Sequence, residues 1–315
     1  MESIQLGFNV IFPLVLMTVL GVFLKKIRML SDGTSTEMNR LVFRVLLPLQ
    51  LFSNAVNAQG DDVWTKENVL AALFILAAVA VVLFLSLAIC TLLKVEKHKK
   101  IIISQGIYRS NIILFGLSVC SAIYDGQIPG IATLMVLIVA PFYNLIAVLL
   151  FESLSDKPSG FFGNIVNIFK TPIIIATVIG LLFNIFKLHL PDALNDTVQR
   201  LANMATPLAF ITLGSSLKLK NIKKHIKAIS IVTVLRLIIV PFAVLGISVL
   251  MGIRGPTLAV FISTLAAPVS VTSYSMAKEN EVESQLAGEL VAVTTIVSGI
   301  TLFLWIVIFN QLGML

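Results

Sequence analysis

Long apolar runs are the feature that most constrains how this chain can fold. The first extends from about Leu6 to Leu24, and similar runs recur along the whole length of 315 residues. Only 12% of the residues are charged, roughly half the share that covers the surface of a soluble domain. A membrane-spanning helix needs about 20 mostly apolar residues. The sequence therefore predicts an all-α polytopic membrane protein.

Ten segments meet this length requirement. The predicted spans are residues 5–24, 38–57, 68–93, 101–122, 131–151, 170–187, 193–216, 227–250, 256–276 and 288–310. The second, fourth, seventh and ninth contain proline, glycine or polar residues that can interrupt a helix. A cleavable signal peptide carries its positive charges before the apolar run, whereas here the cluster at residues 25–28 follows it. The first run is therefore predicted to be a spanning helix.

The distribution of lysine and arginine predicts the orientation of the spans. With the N-terminus outside, the cytoplasmic connections hold fifteen of these residues and the opposite connections hold three. Short cytoplasmic loops are enriched in lysine and arginine. We therefore expect a multi-pass protein of the cell (plasma) membrane, with both termini on the extracytoplasmic side and the lipid bilayer around it. These clusters also account for the net charge of +7, so no nucleic-acid partner is expected.

An internal repeat is visible in the pattern of the spans. Asn-Arg-Leu at 39–41 precedes Pro48 in span two, and Gln-Arg-Leu at 199–201 precedes Pro207 in span seven. The pattern divides the chain into residues 1–152 and 153–315, each with five spans. Because five is odd, the second copy must run inverted in the membrane. Inverted repeats with interrupted helices are typical of secondary transporters, whose substrate binds near the midplane.

Spans four and nine carry the breaks and most of the polar residues. Gly-Leu-Ser-Val at 116–119 aligns with Ala-Pro-Val-Ser at 267–270, which predicts breaks near Gly116 and Pro268. Two interrupted helices that meet midway would present helix N-termini, whose partial positive charge suits a carboxylate. Polar residues near these breaks, and one in span five, are the candidate ligands: Ser110, Asn111, Ser118, Asn144, Ser270 and Thr272. Ordinary packing of small residues between membrane helices is the alternative interpretation.

The charges predicted within the membrane are all positive. All sixteen acidic residues fall in loops or at helix ends, whereas Arg44, Arg109 and Arg236 lie within spans. An unpaired arginine at the bilayer centre costs about 2.5–3.5 kcal/mol on insertion scales. Each arginine can reach the membrane surface, form a structural pair or attract an anion. For the last role Arg236 is the first candidate, because it lies deepest, and Arg109 is the second.

The same pattern argues against several other mechanisms. A cation antiporter or an intramembrane aspartyl protease needs a membrane-embedded carboxylate, and none is predicted. His98, His189 and His225 are expected in solvated loops, so we expect no metal site, no cofactor and no enzymatic activity. The two cysteines, Cys90 and Cys120, lie in apolar runs and are interpreted as small core residues.

Several motifs resemble, in order, those of the auxin efflux carrier family, including its bacterial malate-permease-like members. The matching motifs are Asn-Arg-Leu-Val-Phe at 39–43 with Leu-Pro at 47–48, Arg-Ser-Asn at 109–111 with Gly116, Pro-Phe-Tyr-Asn at 141–144, Pro-Leu-Ala at 207–209 with Gly214, and Ala-Pro-Val at 267–269 with Met-Ala-Lys at 276–278. They span the whole chain. The ordered set is more specific than any single motif.

This resemblance implies a fold and a function. It implies two inverted five-helix repeats in which helices four and nine are broken and cross at the substrate site. It also implies transport of an organic anion by an elevator-like movement of a transport domain against a scaffold, the two being interleaved between the repeats. By position, Asn111 is the expected carboxylate ligand and Pro268 the expected breaker. Ser118 is a departure, because the family usually has proline there.

Three functions remain open from the sequence. The first is a carrier of small carboxylates such as malate, which the polar breaks and the embedded cations favour. The second is a sodium-coupled organic-anion symporter of the same superfamily, although the lack of buried carboxylates argues for independence from sodium. The third is a membrane sensor without transport activity, which the short loops, at most about 20 residues long, disfavour. A homodimer is compatible with all three.

Overall fold

The computed structural model describes residues 2–57, 63–112, 123–124, 129–154, 172–217 and 222–315. Its α-helices are α1 (Glu2–Lys26), α2 (Asp32–Leu41), α3 (Leu47–Asn57), α4 (Lys66–Leu92), α5 (Lys97–Tyr108), α6 (Gly130–Glu152), α7 (Pro172–Ile185), α8 (Asp192–Ser216), α9 (Ile222–Val234), α10 (Val240–Leu250), α11 (Gly255–Leu265), α12 (Val271–Glu279) and α13 (Ser284–Gln311). Two π-helical segments, Val42–Leu46 and Leu235–Ile239, join α2 to α3 and α9 to α10.

Four helical stretches in the described residues are long and apolar enough to cross a membrane. They are Lys66–Leu92, Gly130–Glu152, Lys223–Leu250 and Ser284–Gln311. Large apolar side chains cover their outer faces, among them Phe84, which is 70% exposed, and Phe242, which is 69% exposed. Such a surface is stable in lipid and unstable in water. The structure therefore supports an all-helical polytopic membrane protein, while the total of ten spans stays a prediction.

Each π-helical segment ends two residues before a proline. The amide of Leu47 donates to the carbonyl of Val42, and Pro48 follows; the amide of Val240 donates to Leu235, and Pro241 follows. Proline has no amide hydrogen, and its ring clashes with the carbonyl four residues earlier. The wider π turn relieves this clash, so the two long helices continue through their prolines.

Close helix contacts tie the two halves of the chain together. Helix α1 packs on α8, and α3 packs on α7 and α8. A Cβ atom at Gly21 would meet the backbone of Ile211, and one at Gly180 would meet the backbone of Phe52. Glycines that let backbones approach in this way are typical of membrane helix packing. On the other side of the molecule, α4 packs on α5 and α6, and α13 packs on α9 and α12.

Polar contacts bring five helix connections to one face of the molecule. Lys97, the first residue of α5, donates to the carbonyl of Ser153 after α6 at 2.6 Å. Lys278, at the end of α12, donates to the Oγ of Ser216 at the end of α8 and to the carbonyl of Ser35 near the start of α2. We call this face the basic face, because it carries the lysine clusters that the sequence assigns to the cytoplasmic side.

Candidate functional site

Two interrupted helices cross at the centre of the molecule. Helix α5 ends at Tyr108, and an irregular segment separates α11 from α12. Ser110 and Val269 form an isolated antiparallel bridge, and the amide of Asn111 donates to the carbonyl of Pro268 at 2.9 Å. The two extended segments thus provide backbone hydrogen-bond partners for each other where the helical hydrogen bonds are missing.

The position of the first break differs from the prediction. Helix α5 ends eight residues before Gly116, because the chain leaves the helix at Arg109 to pair with the segment around Val269. The described part of this helix therefore ends before the predicted break, and the alignment of residues 116–119 with residues 267–270 stays a prediction. Gly116 and Ser118 lie outside the described residues, as does Cys120.

Pro268 and Thr294 explain the extended conformation of the second break. Proline removes a backbone donor and disfavours helical geometry at the preceding residue. The amide of Val269 donates to the Oγ1 of Thr294 on α13 at 3.1 Å. Thr294 also donates to the carbonyl of Leu290 within its own helix. The threonine therefore also anchors the crossover.

Arg236 holds the ends of both interrupted helices and is 1% exposed. Its guanidinium donates to the carbonyls of Ala267 at 3.0 Å, Ile107 at 3.2 Å, Thr264 at 3.1 Å and Tyr108 at 3.4 Å. These carbonyls lie at the C-terminal ends of α5 and α11, which carry partial negative charge. Arg236 does not line the crossover cleft described below, whereas Arg109, the second candidate for attracting an anion, does.

Arg109 is equally buried, at 1% exposure, but it contacts only side chains. Its Nη1 lies 3.4 Å from the Oε1 of Gln105 and 3.0 Å from the Sδ of Met276, and its Nη2 donates to the Oδ1 of Asn144. Within the part of the chain that the structure describes, no carboxylate oxygen lies within 4.0 Å of this guanidinium. Among the described residues, the hydrogen-bond partners of this guanidinium are therefore all neutral side chains.

A cleft opens beside this crossover, with about 540 Å³ of space that includes its mouth. Six residues singled out from the sequence line it: Arg109, Ser110, Asn111, Asn144, Ser270 and Thr272. We call it the crossover cleft. Pro268 lies behind its wall, where its carbonyl receives the amide of Asn111. The sequence thus pointed to residues from α5, α6 and α12 that the fold brings together.

Several hydrogen-bond donors line this cleft. Asn111 is 4% exposed, and its Nδ2 has no partner among the described residues. Helix α12 begins at Val271, and its first two residues line the same cleft. An amide donor, a guanidinium and a helix N-terminus all favour a negatively charged group. Arg109 and Asn111 are therefore groups that can donate hydrogen bonds to a carboxylate.

The opposite wall comes from α3, α7 and α8. Gln50 donates to the Oγ1 of Thr206 at 3.2 Å, and both line the cleft. Thr206 was not singled out from the sequence, although it stands directly before Pro207 in a polar stretch of its span. The position of Thr206 beside this proline was the sequence signal that could have identified it as a cleft residue. Tyr143 also lines the cleft and lies 3.3 Å from the Oγ of Ser110.

Two expectations about charged residues are corrected. His225 lies within α9, which begins five residues before the predicted span, and its Nδ1 is 2.7 Å from the Oε2 of Glu289. Glu289 is fully buried in α13 and also accepts from Gln285 at 2.7 Å. Arg44 faces outward, with 59% of its side chain exposed, and pairs with Glu279 at 2.7 Å. None of these five residues lines the crossover cleft.

The described residues hold no group of three histidine, cysteine or acidic side chains that could bind a metal ion. Cys90 is a buried free thiol in α4, consistent with a core residue. The hydrogen bond between Lys99 and Glu96 raises the pKa of Lys99 and lowers the pKa of Glu96, so both stay charged near neutral pH.

Comparisons with known proteins agree with this architecture. The profile of a family described as membrane transport protein matches residues 6–160 and 161–306. A relative from Methanothermobacter thermautotrophicus (strain Delta H), described as an uncharacterized transporter, is 24% identical over 306 residues. That match covers 95% of this chain and 97% of the relative. The chain therefore belongs to the membrane transport protein family, the family of the auxin efflux carriers.

Proposed function

We propose that this protein is a secondary carrier of small organic anions, such as malate or related mono- and dicarboxylates. The observation that carries the proposal is the Nδ2 of Asn111, which has no hydrogen-bond partner among the described residues and is buried in a cleft that also holds Arg109 and the N-terminus of α12. A buried donor without a partner costs about 1–3 kcal/mol. A carboxylate in the cleft would accept from this amide and remove that cost.

The electrostatics of the cleft support an anion over a cation or a neutral solute. Arg109 supplies a full positive charge, and only neutral oxygen and sulfur atoms of described residues contact it. A substrate carboxylate would form a charge-assisted hydrogen bond, which is worth about 1.5–3 kcal/mol. The surrounding wall is mostly apolar, which suits a small organic body attached to the carboxylate.

The packing glycines support two inverted repeats as the frame of this carrier. Gly21 on α1 packs against the backbone of Ile211 on α8. Gly180, which lies 159 positions after Gly21, packs against the backbone of Phe52, which lies 159 positions before Ile211. A twofold relation between the halves exchanges these two contacts. Repeats divided near residue 152 would produce this exchange.

The bridge at the crossover follows the same relation. Ser110 pairs with Val269, which also lies 159 positions later. A residue that pairs with its own equivalent lies on the twofold axis. On this register the substrate cleft adjoins the axis between the repeats, as in other transporters with broken helices.

The two walls of the cleft suggest how access alternates. We assign the wall from α3, α7 and α8 to a scaffold and the wall from α5, α6 and α12 to a transport domain. On the basic face the two groups are joined: Lys278 donates to Ser216 at 2.8 Å, and the Nδ2 of Asn39 donates to the carbonyl of Ser275 at 3.2 Å. We infer that these bonds hold the cleft closed toward the cytoplasm in this conformation. An elevator-like movement of α12 away from α2 and α8 would open it there.

Uptake into proteoliposomes tests the proposal. Purified protein is reconstituted with a panel of labelled mono- and dicarboxylates, malate among them, and compared with Asn111→Ala and with the control Asn310→Ala, an exposed asparagine in the last turn of α13. We expect uptake of at least one carboxylate by the wild type and the control, and at least a tenfold loss in Asn111→Ala. Equal uptake by Asn111→Ala and Asn310→Ala would refute the assignment of Asn111 as a substrate ligand.

The same vesicles test coupling to sodium. The described lining of the crossover cleft contains no carboxylate that could bind a cation. We therefore expect the same uptake rate in sodium as in choline buffer. A rate that rises with sodium concentration would favour a sodium-coupled symporter.

A further inference from the structure

A second and larger cavity lies between α4, α5, α9 and α10. It separates α4 from α9 and α10, and Ile103 and Ile107 of α5 form its floor. Its space is about 1720 Å³, which includes the side that opens outward between the helices. We call it the lateral groove. It shares no residue with the crossover cleft.

Most of the lateral groove is apolar. Leu85 and Ile89 of α4 form one wall, and Ile231 and Ile239 form the other. Each of these four side chains is 49–52% exposed, so neither wall is covered by a protein element that the structure describes. These walls belong to two of the stretches that are long enough to span a membrane. In a bilayer, lipid acyl chains are therefore the molecules in contact with the groove.

The end of the groove at the basic face is positively charged. Lys224 and Lys227 of α9 line it there and are exposed, and no carboxylate of the described residues lies within 4.0 Å of either. Lys99, in the first turn of α5, lines the same end. It pairs with Glu96 at 2.9 Å, so Lys224 and Lys227 are the lysines of the groove that have no carboxylate of the described residues within 4.0 Å.

The dimensions of the groove match one leaflet. Its α4 wall extends from Val82 to Leu93, which is about 16 Å at 1.5 Å per residue. Half of a hydrocarbon core about 30 Å thick has nearly this depth. The apolar wall therefore begins beside the lysines and ends near the midplane.

We propose that the lateral groove is a binding site for one anionic phospholipid of the cytoplasmic leaflet, with its phosphate at Lys224 and Lys227 and an acyl chain along α4 and α10. The charge at one end distinguishes this site from an ordinary lipid-facing surface, because basic pockets between membrane helices select anionic head groups. The proposal does not depend on which substrate the crossover cleft carries.

Native mass spectrometry of the full-length protein tests the head-group contact. The protein is equilibrated with equal amounts of phosphatidylglycerol and phosphatidylethanolamine, and the bound lipid is counted. We expect the wild type to prefer phosphatidylglycerol. Each lysine near an anionic head group contributes about fivefold to binding, so Lys224→Gln with Lys227→Gln should weaken phosphatidylglycerol binding about 25-fold. The charge-matched control, Lys26→Gln with Lys223→Gln, removes two lysines that do not line the groove and should leave it unchanged.

Three results would overturn the proposal. The first is equal affinity of the wild type for the two lipids, and the second is the same loss of phosphatidylglycerol in both double variants. The third is displacement of the lipid by inorganic phosphate at equal concentration, which would identify a site for a free anion.

A second pair of variants tests the acyl-chain contact. Ala243 lines the lateral groove, whereas Ala80 faces outward from α4 without lining it. Ala243→Trp should fill the groove and lower the retention of both lipids, while Ala80→Trp should not. Equal retention by the two tryptophan variants would show that no acyl chain occupies the groove.

Discussion

Arg109 and Arg236 are a natural pair for comparison, because both are 1% exposed and neither has a carboxylate partner among the described residues. They differ in their acceptors. Arg236 is bound by four backbone carbonyls at the ends of α5 and α11, whereas Arg109 is bound by three side chains at the edge of the crossover cleft. Backbone acceptors are fixed by the fold. Side-chain acceptors can turn away when a substrate carboxylate competes for the guanidinium.

The difference teaches that burial and charge alone do not identify a binding residue. Arg236 neutralises two helix C-termini and so keeps the crossover folded. The guanidinium of Arg109 contacts side chains and not the backbone of the crossover segments, and Arg109 lines the cleft. We therefore assign a structural role to the first and a substrate role to the second.

The largest effect is expected from Arg236→Met, which leaves four carbonyl oxygens at buried helix ends without their donor. Removing one partner of a buried charged interaction costs about 3–5 kcal/mol. We expect a marked fall in the thermal unfolding temperature in detergent, measured by size-exclusion chromatography of heated samples. Arg40→Met, at an exposed position in α2, serves as the control. An unchanged unfolding temperature for Arg236→Met would show that Arg236 does not stabilise the crossover.

Arg109→Met should reverse this pattern, with strong loss of transport and a smaller loss of stability. Losing one charge-assisted hydrogen bond to the substrate corresponds to about 1.5–3 kcal/mol, or about 10- to 100-fold in carboxylate uptake. The measurements are initial uptake rates and the unfolding temperature of the same preparation. If Arg109→Met unfolds as readily as Arg236→Met, the two arginines do not differ in role.

Asn144→Leu should have an intermediate effect on transport. It preserves the size of the side chain and removes the Oδ1 that accepts from Arg109. The guanidinium then keeps its contacts with Gln105 and Met276 but is held less well in the cleft. We expect a change of about 1 kcal/mol, or about fivefold, mainly in the substrate concentration for half-maximal uptake. A loss as large as that of Arg109→Met would show that Asn144 contacts the substrate itself.

The smallest effect is expected at Arg44, the third arginine that the sequence placed within a span. Its side chain is 59% exposed and pairs with Glu279. Exposed ion pairs contribute about 0–1 kcal/mol, so Arg44→Gln should barely change the unfolding temperature. A fall comparable to that of Arg236→Met would mean that Arg44 is buried in the membrane-embedded protein.

The helical architecture and the cleft residues could be predicted because they depend on local chemistry. Apolar runs indicate spanning helices, and Asn111, Asn144 and Ser270 stand out as polar residues within such runs. The register of the crossover could not be predicted. Gly116 and Pro268 are the obvious local breakers, but the break in α5 follows from the pairing of Ser110 with Val269, which is a tertiary contact.

The roles of the charged residues were predictable only in part, for the same reason. Depth in a span favoured Arg236 for anion binding, yet the carbonyls that surround it come from two distant helices. Glu289 looked like a helix-end residue, and its burial depends on His225, which lies 64 positions away. Sequence patterns locate such residues, but only the fold determines their partners.

Ligand-dependent thermal stabilisation tests the central claim, that the crossover cleft binds a carboxylate through Asn111 and Arg109. Purified wild type, Asn111→Ala and Asn310→Ala are heated with a panel of small carboxylates and with the neutral amide of each. A ligand that binds only the folded state raises the unfolding temperature. The account predicts that at least one carboxylate stabilises the wild type and Asn310→Ala, and that its amide and the Asn111→Ala variant give no shift. Equal stabilisation by carboxylate and amide, an undiminished shift in Asn111→Ala, or no shift with any carboxylate would contradict it.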